Sequence, residues 1–126
     1  MATDDYGIPV EDVVIDPLAM TVGADTEAVV TTLETIAAIR ATYGVNMTCG
    51  ASNVSFGLPD RHALNAVFLP VAAAHGLTSA VMDARTPRIV EAVRAGDLLL
   101  GKDAWGSAWI TEFRRQQAAA EADAGS

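Results

Sequence analysis

The stretch VNMTCGASNVSFGLPDRHALNAVFL, residues 45–69, changes character twice. Its opening is short and built of small or β-compatible residues, the composition of a strand. Its middle runs through Gly50, Ala51 and Ser52 to Asn53 and then a Gly-Leu-Pro turn at 57–59. At its end Asp60 caps a helix with Leu64, Val67, Phe68 and Val71 on one face. Pro70 falls inside that helix, where it removes a hydrogen bond or bends the axis, and Gly76 ends it. The stretch therefore reads as one βα unit with a polar, small-residue loop at the end of its strand.

The same rhythm extends on both sides. Upstream, VEDVVIDPLAM (10–20) reads as a buried strand ending at Asp16-Pro17. A helix over 25–43 follows, with Val29, Leu33, Ile36 and Ile39 at helical spacing, Asp25 as N-cap and Gly44 as C-cap. Downstream, LTSAVMDA (77–84) reads as a third strand ending at Asp83, and Thr86-Pro87 opens the next helix with proline in its first position. A last helix is expected from about Trp105 to Ala120, with Trp105 and Trp109 packing on one of its faces. The tail AAAEADAGS, residues 118–126, is expected to fray.

Strand–helix alternation predicts an α/β fold with parallel strands and right-handed crossovers. Three strands leave a difficulty. Val13, Ile15 and Leu18 alternate with Val14 and Pro17, so the sheet is apolar on both sides, yet its helices cover only one face. Something is expected to cover the other.

The whole chain narrows the function classes. Its 126 residues suit one domain, and 51% of them are hydrophobic. Sixteen acidic against eight basic residues give a net charge of −8, which argues against a nucleic-acid grip. The acidic start MATDDYG is no secretory signal, and the most apolar stretch, 63–82, is broken by Asn65, Pro70, His75 and Gly76, so no membrane span is expected. The lone Cys49 excludes an internal disulfide, and a cytoplasmic setting fits. His62 and His75 are not spaced with Cys or carboxylates as metal ligands would be.

The segment CGASNVSFGLPDRHALNAVFL (49–69), the strand end VVIDPLAM (13–20) and the closing pieces MDA and VEAVRAGDLLLGKDAWGSAWI (82–84, 90–110) together resemble the pterin-binding methyltransferases. The resemblance is to 5-methyltetrahydrofolate:corrinoid methyltransferases and the folate domain of cobalamin-dependent methionine synthase, and it runs from about residue 7 to residue 113. It implies a partial TIM (β/α)8 barrel, with residues 1–117 matching the last three βα units and no counterpart of the first five strands. Dihydropteroate synthase shares that fold. It is expected to carry Ser-Arg-Lys and Arg-x-His-Asp where this chain has SNVS and VMDA, which favours methyl transfer.

Catalytic residues of barrel enzymes lie at the C-terminal ends of strands. Asp16, Asn53 and Asp83 each sit at such an end in this reading. The resemblance implies that Asp16 holds the pterin, whose adjacent N–H and NH2 groups suit a carboxylate. It also implies that Asn53 lies at N5 of methyltetrahydrofolate, where its amide oxygen would stabilise a developing N5–H⁺ as the methyl departs. Ser52 either orients Asn53 and the pterin or simply allows close packing. Arg61 either meets an anionic part of the folate or is a solvated helix residue. Asp83 is expected to cap the following helix.

The acceptor implied by the resemblance is a Co(I) corrinoid on a partner protein, with no metal held by this chain. The absent strands imply a separate N-terminal half-barrel subunit or self-association. A different class of reading is a non-catalytic remnant or assembly module of the same fold.

Overall fold

The computed structural model describes residues 1–126. Its elements are helix α1 (Ala2–Tyr6), strand β1 (Val14–Ile15), α2 (Ala28–Tyr43), β2 (Asn46–Met47), α3 (Arg61–His75), α4 (Pro87–Leu99) and α5 (Ser107–Ala124). The fold is α/β, mostly helical, with a small parallel sheet. β1 pairs with β2 in the register Val14–Asn46 and Ile15–Met47. The ladder continues through Thr48, whose N–H donates to the Ile15 carbonyl (3.0 Å).

The third extended segment is less regular than the sequence suggested. Residues 77–84 form no strand, and Val81 makes a single parallel bridge with Gly50. Hydrogen bonds still run from Ser79 N–H to the Met47 carbonyl (3.0 Å) and from Val81 N–H to the Cys49 carbonyl (2.8 Å). The segment thus lies beside β2 but has no neighbour on its far side to regularise it. The first strand is likewise trimmed, because Val10–Asp12 coils into a single helical turn before β1.

Sheet pleating sends alternate residues to opposite faces. On one face Ile15, Met47 and Cys49 meet the helices, against Ile36 of α2, Phe68 of α3 and Ile89 of α4. Ile36 and Met47 are fully buried, and burying one such side chain stabilises the fold by about 1.5–3 kcal/mol. On the other face Val14 (53% exposed) and Val81 (69%) lie open, and a Cβ built on Gly50 would meet nothing within 4 Å. The expected second face is open, but it is mixed in character, because exposed Asn46 lies beside Val14.

α2 and α4 follow their local signals, but α3 buries Asn65, Phe68, Leu69 and Ala72 and leaves the expected Leu64, Val67 and Val71 exposed, and the Asp60 carboxylate accepts from Arg88 instead of capping it. α2 ends at Gly44, left-handed at φ 62°, whose N–H returns to the Arg40 carbonyl (3.1 Å). Its start is Glu27 rather than Asp25, whose carboxylate instead turns back on the Glu27 N–H (2.9 Å). α3 keeps Pro70 inside and ends at Gly76. Pro70 faces Gly96 of α4 so closely that a Cβ on Gly96 would lie 2.8 Å from the Pro70 Cβ. This glycine sets how near the two helices approach.

Three expectations at the C-terminal end need correction. Trp105 is not part of the last helix: it is left-handed (φ 59°) and 98% exposed, so only Trp109 is placed to pack. α5 begins after it, where the Asp103 carboxylate accepts the N–H groups of Ala108 (3.0 Å) and Trp109 (2.9 Å). The tail is not frayed but helical to Ala124, as its alanines favour.

Candidate functional site

The ends of β1 and β2 run into two loops that are bonded to each other. After Pro17, itself buried, residues 18–24 cross to the loop that follows β2. Val22 N–H donates to the Val54 carbonyl (3.0 Å), Thr21 Oγ1 donates to the Phe56 carbonyl (3.0 Å), and Gly23 approaches Phe56 too closely for any side chain. From below, the fully buried Thr32 of α2 donates its hydroxyl to the Ala28 carbonyl (3.0 Å) and accepts the Met20 N–H (3.2 Å). The rim is therefore exposed to solvent yet tied at several points.

Asp16 stands directly after β1 and is exposed. Its Oδ1 accepts the Leu18 N–H (2.8 Å), a turn that holds Leu18 at φ 61°. A carboxylate has about four acceptor positions, so this bond leaves most of its capacity for a ligand. The charge of Asp16 is felt at Cys49, whose thiol is pushed up first by burial and then by that carboxylate. Cys49 is accordingly an inert core residue rather than a nucleophile.

Asn53 lies in the helical turn Ala51–Ser55 that follows β2. Its backbone N–H donates to the Gly50 carbonyl (3.1 Å), and its carbonyl accepts the Phe56 N–H (3.2 Å). Its Nδ2 donates to the Ala19 carbonyl. A carbonyl can only accept, so the amide must turn its nitrogen to Ala19 and its oxygen away. Oδ1 makes no hydrogen bond within the protein, and the residue is exposed. Ala19 is three residues from Asp16, a chain length of at most about 11 Å, so the Asn53 side chain is bonded to the loop that Asp16 opens.

Ser52 and Arg61 are brought to the same turn in another way. Arg61 Nη2 donates to the Ser52 carbonyl (2.7 Å), and Nε donates to Ser55 Oγ (3.0 Å). The guanidinium also lies over the Phe56 ring, 5.6 Å from its centroid. Ser55 is fully buried and its hydroxyl donates to Oδ1 of the buried Asn65 (2.7 Å). Ser55 and Asn65 were not singled out in the sequence. The one available signal was their polarity on the apolar side of an otherwise amphipathic run.

Asp83, at the end of the third segment, does not cap α4, whose N-cap is Thr86. It forms a turn with the Arg85 N–H (3.0 Å) and a two-pronged pair with the Arg85 guanidinium (2.9 and 3.1 Å). Those bonds lower its pKa to about 2. A cavity of about 120 Å³ lies between α3, α4 and residues 77–82, and a groove of about 460 Å³ lies between α4 and α5. Neither is lined by Asp16, Ser52, Asn53 or Arg61. No group of three or more His, Cys, Asp or Glu residues converges to hold a metal ion, and no helix is long and apolar enough to cross a membrane.

The structure thus sets a carboxylate and an amide in the loops that follow two neighbouring parallel strands. The family described as "Pterin binding enzyme" matches residues 1–83, about two-thirds of the sequence, and the chain belongs to that family. It is also 34% identical over 102 residues to a methylcorrinoid:tetrahydrofolate methyltransferase from Eubacterium limosum. That alignment takes in 80% of this chain but 38% of the relative, so the chain spans well under half of the curated protein it matches.

Proposed function

We propose that this chain is the pterin-gripping part of a methyltransferase that moves a methyl group between N5 of tetrahydrofolate and a corrinoid carried by a partner protein. The observation that supports the reading is the bond from the Asn53 side chain to the loop that Asp16 opens, which leaves the Asn53 amide oxygen without a partner in the protein. Asp16 would accept two parallel hydrogen bonds from the pterin edge. Asn53 Oδ1 would accept the hydrogen that N5 carries once the methyl has left, making the tertiary amine a better leaving group. Ser52 lines the same turn.

The relative's name writes the reaction from methylcorrinoid to tetrahydrofolate. The C–N and C–Co bonds exchange in either direction through one transition state, so the same side chains serve both. The corrinoid supplies the cobalt that gives or takes the methyl. The chain's two histidines suggest no ligand cluster for it: His75 Nδ1 is already 2.8 Å from the Val71 carbonyl.

The uncovered face bearing Val14, Gly50 and Val81 supports a second part of the proposal. The three βα units are one sector of a (β/α)8 barrel, and further strands, from a companion half-barrel or another copy, would close over that face. An assembly module without catalysis is the competing reading, and the same face favours it. Titration calorimetry separates them. Methyltetrahydrofolate should bind to the chain in its closed assembly, and Asp16→Asn should weaken that binding because a donor replaces an acceptor. Absence of binding in any assembly leaves the non-catalytic reading standing.

A further inference from the structure

We propose that Arg61 is a positioning residue for Asn53, acting through the peptide that precedes it. The inference rests on the reading of Asn53 as the group at N5, but it concerns how the chain fixes that side chain.

The carbonyl that Arg61 Nη2 grips at 2.7 Å belongs to Ser52, so it lies in the Ser52–Asn53 peptide. Holding that peptide plane fixes the direction in which Asn53 leaves the backbone. The second prong, Nε to Ser55 Oγ at 3.0 Å, pins the other end of the same turn. Ser55 is in turn anchored in the core by Asn65 on α3, the helix that Arg61 opens. Arg61 and Asn65 lie four apart and therefore on one helical face, so a single helix holds the turn at two places. The loop after β1 holds it from the opposite side through Ala19 and Val22.

With Gly50 and Phe56 on its backbone and Ala19 on Nδ2, Asn53 keeps Oδ1 and one Nδ2 hydrogen without a partner in the protein. The guanidinium is suited to this task because its planar fork satisfies two acceptors at once. Two of the five guanidinium N–H donors are used in this way, and the ring of Phe56 lies against the group.

The test reads the Asn53 side-chain amide by ¹⁵N–¹H spectroscopy in the full chain, which contains only three asparagines; the signal is assigned by its loss in Asn53→Asp. In Arg61→Gln, exchange of the Asn53 Nδ2 protons with water should rise about tenfold or more, since a charge-assisted bond to the turn is lost. Arg61→Lys, which keeps one prong, should fall between that variant and the parent. The melting temperature should change little, because Arg61 is exposed. An Asn53 signal unmoved in Arg61→Gln overturns the proposal, and loss of methyltetrahydrofolate binding with that signal unmoved makes Arg61 a ligand contact instead. A parent chain that binds no folate sinks the pterin reading alone, because the amide signal still decides whether Arg61 holds Asn53.

Discussion

The rim around Asn53 and the open face around Val14 and Val81 are both exposed, and they are opposites in every other respect. The rim is polar, and its backbone and side chains bond densely to two other segments. Its exposure leaves one acceptor free and little freedom to move. The open face carries exposed Val14 and Val81 with Asn46 and Gly50 between them, and the third segment beside it is bridged at a single residue. Exposure of the first kind prepares a place for a ligand, since a fixed acceptor loses little entropy when it binds. Exposure of the second kind prepares a place for more protein.

The contrast can be broken most sharply at the rim. Asn53→Ala should slow methyl transfer by about 10²–10³-fold, the range for removing one group that stabilises developing charge, with only a modest loss of folate affinity. An unchanged single-turnover rate would remove Asn53 from the chemistry. Met47→Ala is next. It opens a cavity on the covered side of the sheet and should cost about 2–5 kcal/mol in denaturant unfolding. Gly96→Val should cost about 1–3 kcal/mol by forcing α4 away from Pro70, and a parent-like midpoint would show that the helix pair yields without strain. The smallest effect is expected on the open face. Val81→Thr should stay within about 0.5 kcal/mol of the parent while altering association in size-exclusion chromatography, and a core-sized loss there would mean the face is already covered.

Acid titration adds a different probe. The Glu112 carboxylate accepts bonds from Arg115 (2.7 and 2.9 Å) and Gln116 and lies 3.6 Å from Arg94, which lowers its pKa from 4.5 to about 2. A folded pKa below the unfolded one contributes stability that is fully present above pH 4.5 and is lost as pH falls toward about 2. Asp83 follows the same sign, from 3.8 to about 2. Glu112→Gln should therefore lower the melting temperature on the neutral plateau and flatten its fall below pH 4.5, leaving the strongly acid end nearly unchanged.

How far the molecule could be read in its sequence depended on how local each signal was. α2, α3 and α4 were legible because periodicity, the glycines at 44 and 76 and the proline at 87 act within a turn or two. The third strand was over-read because composition cannot say that one of its edges has no neighbour. The end of α5 was under-read because alanine's helical preference was weighed less than its nearness to the terminus. The placement of Asp16 and Asn53 after parallel strands was expected, but the bond from Asn53 to Ala19 spans 34 residues and no spacing rule reaches that far. Arg61 shows the limit most plainly. A cation opening a helix beside a loop fits a ligand contact and a brace equally well until its two acceptors, Ser52 and Ser55, are seen.

Trp105 offers a closing consequence. Its indole stands almost wholly in water on a left-handed turn between Gly101 and Gly106, while Trp109, on the next helix, is half-buried. The chain thus carries two optical reporters in unlike surroundings. Acrylamide should quench the red-edge emission first and the blue-edge emission later, and whatever comes to rest against that turn would announce itself as a blue shift without any added dye.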